Sequence, residues 1–158
     1  MNRHARDLTP GEWGALSPGL AAALRDARVA PLIDARPHPG ALVARLWRGR
    51  VPILTYGRVI HWPGAKADFS APWSPKDLEV LQHELQHVLD FANEALSPAS
   101  YLLNARNWTY HYRLKDGCRW CDFGAEQRAM IAQHVWRCEQ GLPTPYEEAA
   151  YREVLPWG

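Results

Sequence analysis

The sequence predicts a single α+β domain over residues 1–158: a small antiparallel sheet beside a long central helix, with a second long helix after it and helices toward both ends. Three observations carry this. Short apolar runs broken by Gly and Pro cluster between residues 41 and 62. Ser/Thr-Pro pairs that open helices recur on both sides of that cluster. The pair Ser74-Pro75 opens a stretch with apolar residues at helical spacing, Val80, Leu81, Leu85, Val88 and Leu89.

Taken in order, Thr9-Pro10-Gly11-Glu12 reads as a capping box, with Thr9 as cap, Glu12 reaching back, and Leu8 and Trp13 spaced as a hydrophobic staple. Ser17-Pro18 restarts a helix through Leu24. Ala41–Trp47 and Val51–Tyr56 read as strands, with Pro52 fit for a first or edge position. Thr55-Tyr56-Gly57-Arg58 has the form of a tight hairpin leading into Arg58–Trp62. Pro63, Gly64 and Pro72 bound a loop before the central helix, where Trp73 and Leu78 are spaced as a second staple. Ser97-Pro98 opens a short helix to about Leu103, and Asn107–Leu114 alternates as an extended segment does. Residues 123–139 read as a helix with Ala129, Ala132, Val135 and Trp136 on its apolar side. Thr144-Pro145-Tyr146-Glu147 is a further capping box, opening a last helix to about Leu155.

Composition narrows the function classes. Of 158 residues, 47% are hydrophobic and 22% charged, with a formal net charge of +1, which excludes a disordered chain and gives no global charge argument for nucleic acid. The charge is uneven: residues 1–66 carry 10 Lys/Arg against 4 Asp/Glu, and residues 67–158 carry 8 against 13. No run approaches the ~20 apolar residues of a membrane span, and no secretory signal core is visible. The expectation is a protein made in the cytoplasm that binds neither membrane nor nucleic acid, with export by a signal-independent machine left open. The odd count of 3 cysteines argues against a disulfide framework. Eight tryptophans supply anchors for a core.

The central helix contains His83-Glu84-Leu85-Gln86-His87, an H-E-x-x-H motif. Residues i and i+4 of a helix stack on one face with Cβ atoms about 5–6 Å apart. Two imidazoles at that spacing reach one Zn²⁺ at roughly 2.0–2.1 Å. Glu84 lies beside them and is placed to take a proton from water at the metal and pass it to a leaving amine. With 7 His and 9 Glu, random placement yields this motif in roughly 2% of such chains, so the apolar helical setting matters to the assignment. Glu79, Gln82, Gln86 and Asn93 read as a polar stripe elsewhere on the helix.

A catalytic zinc needs a third protein ligand. The longer metzincin pattern is absent, since Asp90 and Asn93 stand at its Gly and His positions. Glu94 lies about 10 Å along the helix from His87 by the rise per residue, too far to close the site. Downstream candidates are His111, Asp122, Glu126 and His134. Glu126, 39 residues after His87, is favoured because it opens a second helix and gives the His₂Glu set of a hydrolytic site. If residues 108–114 are extended, Tyr110 and Tyr112 share one face, and either hydroxyl is a candidate to stabilise a developing oxyanion.

Through His83-Glu84, His87 and Glu126 the sequence resembles the gluzincin metallopeptidases. A wider likeness adds Leu8-Thr9-Pro10-Gly11-Glu12, Val59-Ile60-His61-Trp62, Asp68-Phe69-Ser70, Tyr110-x-Tyr112-x-Leu114-x-x-Gly117 and Phe123-Gly124-x-Glu126-Gln127-x-Ala129. That order of motifs, covering most of the chain, resembles short bacterial zincin-like proteins labelled Vgr-related, after the spike of contractile, type VI-like secretion machines. The resemblance implies a zincin-like fold and Zn²⁺ held by His83, His87 and Glu126, with Glu84 as base. It does not imply a substrate, nor does the label establish a secretion role. The motif itself points to hydrolysis of a peptide or amide bond, with the choice between a protein and a peptidoglycan stem peptide left open, as is a secretion-spike partner. The other class of reading is a non-catalytic docking or accessory protein of a secretion or toxin system.

The cysteines offer a competing site. Cys118-x₂-Cys121-x₁₂-His134-x₃-Cys138 has the spacing of a C₂HC finger. A helix beginning near Phe123 would put His134 ~17 Å from the end where Cys121 lies, too far for one zinc. A Cys118–Cys121 redox pair lacks the usual βαβ context. Plain thiols are the expectation.

Overall fold

The computed structural model describes residues 4–41 and 51–157. Chain order is β1 (Ala5–Asp7), α1 (Pro10–Gly14), α2 (Pro18–Asp26), β2 (Leu32–Asp34), β3 (Leu54–Tyr56), β4 (Val59–His61), α3 (Pro75–Ala92), α4 (Pro98–Leu103), α5 (Ala125–Glu139) and α6 (Glu148–Arg152), with 3-10 turns at Ala105–Trp108 and Trp120–Asp122. The class is α+β. The sheet departs from expectation in size and direction. It has four strands in the order β1-β2-β4-β3, with β2 and β4 parallel and the outer pairs antiparallel. β1 and β2 are three residues each, too short for alternation to announce them. The hairpin forms as read, with Tyr56 opposite Val59 and Gly57 at φ +57°, a left-handed conformation that glycine adopts without a Cβ penalty. The strand expected over 41–47 lies outside the described residues apart from Ala41, which shares a helical turn with residues 39 and 40.

The capping chemistry near the front forms in full and does more than start a helix. Glu12 accepts from Thr9 N at 2.9 Å, and Thr9 Oγ1 accepts from Glu12 N at 3.0 Å. The same buried carboxylate takes both arms of Arg6 at 2.7 Å and Phe69 N at 3.0 Å, joining β1 to the loop before α3. Leu20 and Leu24 of α2, Ile33 and Ile60 of the sheet, and Leu78, Leu81, Leu85 and Val88 of α3 make the main core.

α3 runs as predicted, and two of the four residues read as its polar stripe turn inward while Asn93 is exposed. Gln82 and Gln86 are buried. Gln82 Oε1 accepts from Ser17 N at 3.1 Å, and Gln86 donates to Asp90 at 2.8 Å while accepting from Trp157 at 3.3 Å. Of the pair spaced as a second staple, Leu78 is fully buried and Trp73 stays about half exposed. α5 lies antiparallel to α3, tied by Gln133 and Arg137 to Glu79 at one end and by Arg128 to Asp90 at the other. Around Phe123, Ile131, Val135, Tyr151, Val154 and Leu155 lies a second core.

Two further expectations need correction. Residues 107–114 are not a strand: Ala105–Trp108 is a 3-10 turn and residues 109–114 are irregular. The last helix starts at Glu148, because Thr144 Oγ1 donates to Tyr146 O at 2.8 Å in a turn and does not cap a helix. Among the described residues, no helix is long and apolar enough to cross a membrane.

Candidate metal centre

Helical spacing puts His83 and His87 on one face of α3, their rings 5.0 Å apart and nearly perpendicular. Glu126 comes from the first turn of α5, which packs against that face. The three side chains are buried, and one ligand atom from each lies within 4.8 Å of the other two. Glu126 Oε2 stands 3.0 Å from His83 Nε2 and 3.5 Å from His87 Nε2. Two donors at about 2.0–2.1 Å from a tetrahedral zinc would be about 3.3–3.4 Å apart, so both spacings suit a metal between them. The group can hold a metal ion.

The start of α5 is fixed from outside. Gln127 accepts from Gly124 N at 2.9 Å, and buried Asn107 accepts from Ala125 N at 3.0 Å. The same Asn107 donates to Ser100 O at 2.9 Å, joining α4 to α5. A Cβ on Gly124 would meet Arg106 O at 2.2 Å, so glycine is required here for close approach. Arg128, two residues beyond Glu126, donates to buried Asp90 at 2.9 Å and to Phe123 O at 2.8 Å. Each ligand helix is therefore held by charge-assisted contacts to the other.

The electrostatics are those of a coupled carboxylate–imidazole cluster. Burial pushes the Glu126 carboxyl up, but hydrogen bonds and charge from His83 and His87 outweigh it and hold the group well below its ordinary value. Burial pushes the His87 imidazole down, yet Glu126, then Glu84 and Asp90, raise it overall. The carboxylates thus favour positive charge on the His87 imidazole. His87 Nδ1 is buried without a hydrogen-bond partner. Glu84 is also buried, and Thr55 of β3 donates to its Oε2 at 2.7 Å.

Of the residues the sequence singled out, His83, His87 and Glu126 meet, and Glu84 belongs to the same helical turn. Tyr110 lies beside them, its ring stacked on His83 with centroids 6.0 Å apart and nearly half its surface exposed. Tyr112 needs correction. Its hydroxyl is bound to His134 Nδ1 and to the Tyr151 hydroxyl at 3.2 Å, packed against the second core. The irregular backbone at 109–114 breaks the alternation that would have put both tyrosines on one face. The tyrosine that reaches a ligand is Tyr101 of α4, whose hydroxyl donates to Glu126 Oε1 at 2.7 Å. Only the Ser97-Pro98 start, which places Tyr101 in the first turn of a helix, hinted at it. Thr55, Asn107 and the Asp90–Arg128 pair carried no sequence signal as site residues.

The C₂HC finger does not assemble: His134 is engaged by Tyr112, Cys121 is exposed, and all three cysteines are free thiols. Among the described residues no second group of His, Cys, Asp or Glu converges as a metal cradle. Comparison with known proteins returned no match: no family model, no curated protein and no solved structure.

Proposed function

We propose that the chain is a zincin-like, zinc-dependent metallopeptidase that hydrolyses a peptide or amide bond. The observation that carries the proposal is the convergence of His83, His87 and Glu126 on one buried point with Glu84 in the same helical turn. Two imidazoles and one carboxylate form the donor set of hydrolytic zinc sites, which keep a further position open. Zinc bound there would polarise a carbonyl and make a water acidic near neutral pH. Glu84 serves as the base that takes the proton from that water and returns it to the departing amine. The Thr55 hydroxyl fixes one Glu84 oxygen, so the base meets the water in one orientation.

A peptide substrate suits the surroundings. β3 is an edge of the described sheet, paired with β4 alone, and it lies against α3. An extended chain adding to that edge would pass the Thr55–Glu84 pair. Tyr110, exposed beside His83, would border such a chain. The likeness to Vgr-related proteins extends the proposal to a contractile secretion system, with its spike as partner and stem peptides among the substrates.

The test is cleavage of a mixed peptide library, read by mass spectrometry, with parallel measurement of zinc content. The wild-type chain should cleave, and a chelator should stop it. Glu84→Gln should keep zinc and lose turnover by about 10²–10⁴-fold, the range for a missing general base. A zinc-loaded wild-type chain that cleaves nothing would make the protein a docking scaffold. A Glu84→Gln variant with full activity would remove Glu84 from the mechanism.

A further inference from the structure

The two oxygens of Glu126 have different partners. Oε2 faces both imidazoles, at 3.0 and 3.5 Å, while Oε1 accepts the Tyr101 hydroxyl at 2.7 Å. From this division we propose that Tyr101 is a positioning residue that restricts Glu126 to metal ligation through Oε2 alone. The inference rests on the metal-site reading above.

Tyr101 is well held for such a task. Ser97 caps α4 through Ser100 N. Trp108 Nε1 donates to Tyr101 O at 2.7 Å, and Asn107 spans from Ser100 O to Ala125 N, one residue before Glu126. The phenol and the carboxylate therefore sit on elements locked together through a buried amide, and their hydrogen bond does not depend on a loose loop. The consequence is chemical. A carboxylate that grips a metal with both oxygens takes two coordination positions, whereas one held at Oε1 by a phenol takes one. With two imidazoles in place, the second arrangement leaves room for water and a substrate carbonyl together. A partner of this kind behind a ligand also sets its orientation, and its removal typically costs about 10–100-fold in metal affinity or activity.

The test uses the full chain loaded with Co²⁺ as a spectroscopic stand-in for zinc. Tyr101→Phe keeps the ring and removes only the hydroxyl, and it leaves the Trp108 contact to the backbone intact. The expected result is metal affinity about tenfold weaker, measured by chelator competition. With it should come a loss of visible absorption intensity as the freed carboxylate closes on the metal with both oxygens and coordination number rises. A Tyr101→Phe spectrum that superimposes on the wild-type spectrum overturns the inference, whatever the affinity does, because a merely structural tyrosine would weaken binding without changing the ligand field. A wild-type chain that binds no metal removes this inference and the metal reading together. Wild-type binding with an unchanged variant spectrum removes this one alone.

Discussion

Helix α5 carries a half-buried tyrosine contact at each of two places, and the two have opposite chemistry. Near its start, Glu126 lies between His83, His87 and the Tyr101 hydroxyl. Two turns on, the Tyr112 hydroxyl is hydrogen-bonded to His134 Nδ1 and donates to the Tyr151 hydroxyl. At the first place a carboxylate raises the neighbouring His87 imidazole against its burial. At the second, burial pushes His134 down, with Arg137 adding to it, and burial likewise pushes the Tyr112 phenol up so that it remains a donor. Both regions pair imidazoles with oxygen, although His87 Nδ1 is left without a partner. Only the first brings a carboxylate together with two imidazoles as a group able to hold a metal ion, so what separates a site from a core is the carboxylate and not the imidazole.

The sharpest way to break this contrast is to replace the titratable group at each place. Glu126→Gln keeps the shape of the side chain and should abolish zinc binding, whereas His134→Gln should leave zinc content at the wild-type level. Elemental mass spectrometry of both variants decides it. If His134→Gln lost the metal and Glu126→Gln kept it, the assignment of the two regions would be reversed.

A second expectation concerns how the charged region is held. Arg128→Met should leave Asp90 buried without its cation and destabilise the fold by about 3–5 kcal/mol. Urea unfolding measures this, and a shift of under about 1 kcal/mol would mean that Gln86 alone suffices for Asp90. In the neutral region the effect should be smaller. Tyr112→Phe removes the hydroxyl bound to His134 and Tyr151 and should cost about 1–3 kcal/mol with zinc content unchanged. Loss of metal in that variant would return Tyr112 to the site.

The last expectation is a pH dependence. His134 has a folded pKa below its ordinary value of 6.5, so the unfolded chain binds the proton more readily. Its neutral form therefore favours folding above about pH 6.5, and that contribution falls away as pH drops from there toward the folded pKa. Stability of the metal-free chain measured between pH 7.5 and pH 5 should decline less steeply in His134→Gln than in wild type (about the window in which an imidazole titrates). Identical slopes would show that His134 is not titrating there.

Much of the local structure was legible in the sequence. The starts at Pro10, Pro18, Pro75 and Pro98 each follow a Ser or Thr, and each helix begins where that pair predicts. The Gly57 hairpin was readable for the same reason, since a two-residue turn needs a residue tolerant of positive φ. The failures have a common form. Thr144 resembles a cap but spends its hydroxyl on a turn, and Tyr112 sits in an alternating stretch that forms no strand. In both, contacts formed locally or with distant elements override a pattern that fits several conformations.

The sequence alone determined that His83 and His87 share a helical face with Glu84 beside them, because a helix places residues four apart together whatever surrounds it. It also pointed to Glu126 through the helix that residue opens. Only the tertiary structure decided that β2 runs parallel to β4, that Gln82 and Gln86 are interior, and that Tyr101 and Thr55, not Tyr112, hold the carboxylates of the centre. These depend on how segments far apart in the chain are brought together, and no local periodicity or capping preference encodes which distant hydroxyl will meet which carboxylate.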